Sequence, residues 1–151
     1  MVVQKEFVER AHRIVWCSVA TVGPDNRPRS RILHPIWELE GELMGWVVTR
    51  ATPIKVRHLA HSPYLSCGYW EPGHEVAIAD CAAEWVSDVA TRQRVWELYR
   101  DAPAPLGYDF WSVFPEGPAG ESPALLKLNP YRLRLADVET LSGRKEPGVW
   151  P

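Results

Sequence analysis

Residues 28–70 read PRSRILHPIWELEGELMGWVVTRATPIKVRHLAHSPYLSCGYW, and the order of the parts in this stretch decides the fold. Two runs rich in β-formers, residues 28–38 and 43–49, flank the turn-forming Glu40-Gly41-Glu42. Thr52-Pro53 then opens a helix expected to reach about His61. Threonine is a good N-cap, and proline suits the first helical position, where its missing N–H has no intrahelical acceptor to lose. Pro63 stops that helix, and residues 64–70 return to a strand pattern.

The flanking chain extends the same pattern in both directions. Val3, Phe7, Ala11 and Ile14 recur at helical spacing among Glu6, Glu9, Arg10 and Arg13, which predicts an amphipathic helix of about three turns. A strand over 16–22 follows, and Gly23-Pro24-Asp25-Asn26 turns it back into 28–38. Beyond the turn at 71–74, a long strand is expected over 75–86. A helix over about 89–100 comes next, with Asp88 as its cap and Val95, Leu98 and Tyr99 on one face. Residues 102–123 mix prolines and glycines with Tyr108, Phe110, Trp111 and Phe114. That loop is too aromatic for a solvated linker and is expected to pack against the domain or a second subunit. The last strand, over about 125–135, is broken or bulged at Pro130, and a turn-rich tail ends on Trp150. Six hairpin-joined strands with helices at the edges predict a mainly β protein, a closed or nearly closed antiparallel barrel rather than a parallel α/β sheet.

Composition bounds the function. At 151 residues the chain is read as a single domain over 1–151. A formal net charge of −2 argues against nucleic-acid binding, so any basic site must be local. Cys17, Cys67 and Cys81 sit singly in apolar runs, which suits buried thiols in a reducing compartment better than a disulfide framework. The N-terminal residues lack a signal-peptide core, and no apolar run approaches the ~20 residues of a membrane span, so a cytoplasmic location is expected. Eight tryptophans imply extended aromatic contact surfaces, in the core, at a subunit interface, or as walls for a planar ligand.

The chemistry concentrates in the opening stretch. Arg27, Arg29 and Arg31 share one face of a strand by its period of two, and like charges so placed repel unless an anion or water lies among them. A helix N-terminus presents unpaired N–H groups and the positive end of a dipole. Here it carries Thr52, with Lys55 in its first turn and Thr49 at the end of the preceding strand, the materials of a phosphate site. The competing reading is a capped surface helix with a solvated Lys55. No dinucleotide fingerprint, P-loop or nucleophile elbow is present. His58 and His61 stand three apart without a third ligand, so no metal is assigned. With a phosphate site, many aromatics and no catalytic side chains identified, a bound cofactor is expected to carry the reaction.

The run SVATVGPDNRPRSRILHPIW, then GELMGWVVTRATPIKVRHLAHSPYLSCGYW, then a strand ending AEWVSD, is similar to the pyridoxamine phosphate oxidase-like FMN-binding split-barrel proteins. The likeness covers roughly residues 3–99, and more loosely GYDFW and LLKLNPYRLRL. It implies a six-stranded antiparallel split barrel, a homodimer with cofactor sites at the subunit interface, and flavin-dependent oxidoreductase chemistry. It assigns cofactor contacts to Arg31, to the run beginning Ile32, Leu33 and His34, to Thr49 and Lys55, and to Glu75, where the family's oxidase has glutamine; Thr52 of the helix start joins them from the reading of the residues. Ile54 replaces the arginine that normally precedes the helix lysine, leaving Arg29, Arg50 or Arg57 to compensate. The oxidase's C-terminal substrate-binding Trp and Arg motif has no match, which argues against authentic pyridoxamine phosphate oxidation. FMN is the expected cofactor. The alternatives are the 8-hydroxy-5-deazaflavin coenzyme, or a non-enzymatic flavin- or haem-binding protein using His34, His58 or His61.

Overall fold

The computed structural model describes Val2–Pro151. Its strands are β1 (Cys17–Val22), β2 (Pro28–Leu33), β3 (Ile36–Glu40), β4 (Glu42–Arg50), β5 (Tyr64–Trp70), β6 (Val76–Val86), β7 (Pro123–Ala136) and β8 (Gly148–Trp150). Helices α1 (Val2–Ile14), α2 (Pro53–His61), α3 (Val89–Asp101) and α4 (Val138–Leu141) and a 3-10 turn at Phe110–Ser112 complete it. All the pairings are antiparallel, in the order β2-β1-β5-β6-β7-β4-β3, with β8 added on β7.

Eight strands replace the expected six for two physical reasons. The run expected as one strand over 28–38 is divided at His34-Pro35, because proline lacks the N–H a ladder requires and bends its predecessor. The tail forms the short β8, whose Trp150 stands opposite Leu133 and packs on the core. Pro130 does not break β7. Its pairing with β6 runs from Arg132 opposite Asp80 to Pro130 opposite Cys81, so Tyr131 is passed over as a bulge.

The two free edges of the sheet, β2 and β3, are consecutive in the chain and are not paired with each other. The barrel is therefore split, and the split falls at the His34-Pro35 corner. The last β3–β4 pair is Ile36 with Trp46. Beyond Trp46, β4 keeps β7 on one side and has an open edge on the other.

Two apolar clusters hold this arrangement. The barrel interior takes Val19, Val47, Leu65, Ala79, Leu126, Leu128 and Leu133, and α1 plugs one side with Phe7 and Ala11. Trp37 lies over its register partner Gly45, where an added Cβ would stand 2.7 Å from the indole. Its Nε1 donates to Tyr69 Oη at 2.9 Å. The three cysteines are all buried and unpaired in this interior. The second cluster joins the outer side of β4 to α3 and the aromatic loop, through Trp46, Val95, Trp96, Tyr99, Leu106, Phe110 and Phe114. Trp37, Trp46 and Trp96 are buried, while Trp16, Trp70 and Trp111 are more than half exposed.

Candidate functional site

Where the sheet is split, β2 faces the unpaired end of β4 and the start of α2. The groove between them encloses about 500 Å³ and is lined by residues 29–33 of β2 together with Thr49, Arg50, Thr52, Ile54 and Lys55. Four of these side chains are cationic (Arg29, Arg31, Arg50 and Lys55), and among the described residues no carboxylate lines the groove. That concentration of positive charge stands in a chain whose formal net charge is −2.

Lys55 is the most constrained of the four. It is 7% exposed, not solvated. Its Nζ donates to Thr49 Oγ1 at 2.7 Å and to the Arg50 carbonyl at 2.8 Å, both neutral acceptors. Burial, and then the nearby Arg31 cation, push its ammonium down to about 8 from the ordinary 10.5. A buried cation without a counter-charge is a standing invitation to an anion.

Arg31 reaches from the edge strand. Its Nη1 donates to Thr21 Oγ1 at 2.7 Å and more weakly to the Val19 and Arg29 carbonyls, both at 3.2 Å. Burial and the adjacent Arg29 lower its pKa. Arg50 rests its guanidinium on the Phe114 ring, 4.7 Å from the centroid, which ties the rim of the groove to the aromatic loop.

Helix α2 supplies the remaining donors. Thr52 occupies the N-cap position in an extended conformation but makes no side-chain cap bond, contrary to the expectation from its residue type. Its hydroxyl therefore stays available at the groove, beside the unpaired first-turn N–H groups of Ile54 and Lys55.

The groove thus brings together Arg31, Ile32, Leu33, Thr49, Thr52 and Lys55 from the expected set. Two expected residues lie elsewhere. His34 turns away at the corner, where its ring packs on Trp16 (4.8 Å), Tyr99 (5.4 Å) and Tyr108 (6.0 Å) and its Nε2 is buried without a partner. Glu75 pairs with Arg13 and, at 3.6 Å, with Arg10. It sits past the far end of β5 from α2, roughly 20 Å away at ~3.4 Å per strand residue. Arg27 precedes β2 and is exposed.

Sequence reasoning missed Ser30 and Ile54 as lining residues and Thr21 and His58 behind Arg31. Ser30 alternates with the arginines, so the strand period assigns it to the opposite face and gave no signal for it. Nothing in the spacing joins Thr21 to His58, because β1 and α2 meet only in the folded chain. Within one chain, and among the described residues, no aromatic side chain lines the groove. Among the described residues no group of three or more His, Cys, Asp or Glu is placed to hold a metal ion, and no helix is long and apolar enough to cross a membrane.

A second concavity, of about 480 Å³, lies beside Ala51, Val56, Trp85 and Leu125. Its cation Arg92 is committed to the Gly120 and Pro123 carbonyls, so it offers an anion little.

No family profile and no curated protein sequence matches the chain. Solved structures do. A Clostridium acetobutylicum protein related to general stress protein 26, of the pyridoxinephosphate oxidase family, superposes with a TM-score of 0.74 at 13% identity, over 97% of this chain and 92% of that one. A Nostoc punctiforme pyridoxamine 5'-phosphate oxidase-related, FMN-binding protein gives 0.62 at 16% identity, over 97% and 85%. The fold is the FMN-binding split barrel. A nimC/nimA family protein from Clostridium acetobutylicum shares this split barrel as well, with a TM-score of 0.71 at 12% identity over 97% and 93% of the two chains. The resemblance carried by residues 3–99 and the likeness of the folded chains lead to the same structural class.

Proposed function

We propose that the groove holds the phosphate of FMN and that the protein is a flavin-dependent oxidoreductase working as a homodimer. The observation that carries this reading is the buried, carboxylate-free Lys55 at the start of α2, with Arg31 across the split. Lys55, Arg31, Thr49, Thr52 and the first-turn N–H groups of α2 hold the phosphate by charge-assisted hydrogen bonds. The β2 residues Arg31, Ile32 and Leu33 run alongside the ring system. A volume of about 500 Å³ falls within the usual range for cofactor sites.

FMN, when bound, supplies the hydride and electron chemistry. The chain's own part is to bind, orient and shield, and no side chain is given an acid or base role. The second subunit covers the open sheet face, where Ile32, Tyr64, Trp70 and Tyr131 are each at least half exposed, and closes the ring side of the groove.

Arg29 and Arg50 favour a second reading. They exceed what one phosphate needs and would suit the acidic tail of the 8-hydroxy-5-deazaflavin coenzyme. Haem has less support, since His34 is enclosed by aromatics and His58 is buried against Thr21. The absorption spectrum of the purified protein, with the mass of any released chromophore, separates these outcomes. Titration with FMN, followed by flavin fluorescence quenching, tests the site. An affinity unchanged in both Lys55→Ala and Arg31→Ala rejects it.

A further inference from the structure

Behind the groove, β1 and α2 meet at a pair of buried polar side chains that the phosphate reading does not use. Thr21 is 1% exposed and His58 is 4% exposed. Thr21 Oγ1 stands 2.9 Å from His58 Nδ1 and also receives Arg31 Nη1 at 2.7 Å. We propose that Thr21 and His58 form a positioning relay that fixes the Arg31 guanidinium toward the anion in the groove. This deepens the phosphate reading and rests on it.

The direction of the hydrogen bonds follows from counting donors. A guanidinium only donates, so Arg31 takes a lone pair of the Thr21 hydroxyl. That hydroxyl has one hydrogen, and His58 Nδ1 is the acceptor within reach. With the opposite imidazole tautomer, Nδ1–H would donate to Thr21, and the hydroxyl hydrogen would be stranded in a buried site, at a penalty of a buried unsatisfied donor. In the relay His58 Nδ1 is therefore the acceptor, with the ring hydrogen on Nε2, and the chain of bonds runs from Arg31 to Thr21 to His58. A protonated His58 would need the hydroxyl to accept twice and would add a cation beside Arg31.

Three further features support a built relay. Gly23 makes room for the ring, since an added Cβ there would stand 2.6 Å from His58 Nε2. His58 follows Lys55 by three positions on α2, so one helix face carries both residues. One of them offers its own charge, and the other registers the charge of an arginine on the far side of the split. Finally, β2 is an edge strand held by β1 alone, so its long side chains gain nothing from a second neighbour. With Nη1 held by Thr21, the Nε and Nη2 groups of Arg31 have no hydrogen-bond partner among the described residues and remain for the ligand.

The test compares the full-length protein with Thr21→Val, which keeps the shape and removes the hydroxyl, Thr21→Ser, which keeps the hydroxyl, and His58→Leu. Nitrogen-15 NMR of the ligand-free protein is expected to show the Nε2–H tautomer at His58. Rotation of the Arg31 guanidinium about its Cζ–N bonds is expected to be slow in wild type and in Thr21→Ser, and at least about tenfold faster in Thr21→Val and His58→Leu. An Nδ1–H tautomer, or rotation unchanged in Thr21→Val, overturns the relay whatever the ligand is. Rotation accelerated equally in Thr21→Ser also overturns it, since the hydroxyl would then not be the agent. The affinity ratio of FMN to riboflavin, which lacks the phosphate, is expected to fall about tenfold to a hundredfold in Thr21→Val, the span of one hydrogen bond to a charged group, and to recover in Thr21→Ser. A wild-type protein with no preference for FMN over riboflavin rejects the phosphate reading and the relay's role in it, while the tautomer and rotation still report whether Thr21 holds Arg31.

Discussion

Lys55 Nζ donates to Thr49 Oγ1 at 2.7 Å across the junction of β4 and α2, so the buried ammonium is oriented before any anion arrives. Orientation without neutralisation leaves its pKa at about 8. The sign of the consequence for stability is fixed. Between about pH 8 and 10.5 the unfolded chain binds the Lys55 proton and the folded chain does not, so the ligand-free fold gains stability as pH rises through that window.

Affinity for a phosphate ligand follows the opposite course. Below pH 8 Lys55 is charged and ready. Above it, binding must first take up a proton, so FMN affinity is expected to fall with rising pH. Calorimetry in buffers of different ionisation enthalpy should detect uptake of up to one proton per site near pH 9 and almost none near pH 7. Lys55→Ala should weaken FMN binding by about 1.5–3 kcal/mol, the value of a hydrogen bond to a charged group, and abolish the uptake.

Thr52 and Asp88 occupy the same N-cap position on two helices and are expected to behave differently. Asp88 accepts from the Thr91 N–H at 2.8 Å, so Asp88→Ala should lower the midpoint of denaturant melts. Thr52 makes no cap bond. Thr52→Val should leave stability within about 0.5 kcal/mol while reducing FMN affinity, because the free hydroxyl faces the groove.

His12 places its Nε2 as acceptor for the Trp37 N–H at 3.0 Å, a role open only to the neutral ring. Burial first, and His34 second, push its pKa down to about 4. The unfolded chain binds this proton below about pH 6.5, so stability should fall as pH drops from 6.5 towards 4. His12→Leu should be less stable at pH 7 and should flatten that part of the pH profile, as urea midpoints at several pH values would show.

Tyr99 closes the corner at which the barrel is split. Its hydroxyl lies within hydrogen-bond reach of the Trp46 carbonyl, at 2.9 Å, and of the His34 carbonyl, and shares its single hydrogen between the two sides of the opening. Tyr99→Phe would leave these acceptors short of a donor in a fully buried position, a loss of about 1–3 kcal/mol. A rise in hydrogen exchange over wild type that is larger at β2 and β3 than at β6 and β7 would locate the damage at the split.

The sequence by itself determined the order of the longer helices and strands, the antiparallel class and the grouping of Arg31, Thr49, Thr52 and Lys55 at one end of α2. These are local properties. Strand period, proline at a helix start and basic residues at fixed spacing are all written in neighbouring positions. Sequence periodicity also found the Asp88 cap, because a cap acts within one turn.

Tertiary structure decided what depends on distant elements meeting. It divided the run 28–38 at His34-Pro35 and so opened the barrel. It turned His34 toward Tyr99 and placed Glu75 against Arg13. It also withheld a cap bond from Thr52, whose residue type alone predicts one. Burial of Lys55 depends on Thr49, on the Arg50 carbonyl and on Arg31 arriving from the opposite edge. The Arg31, Thr21 and His58 chain joins β2, β1 and α2, and no spacing along the chain encodes a hydrogen bond among three elements. A residue's charge is local, but the dielectric around it and the partners it finds are set by the folded chain, and the character of the groove lies there.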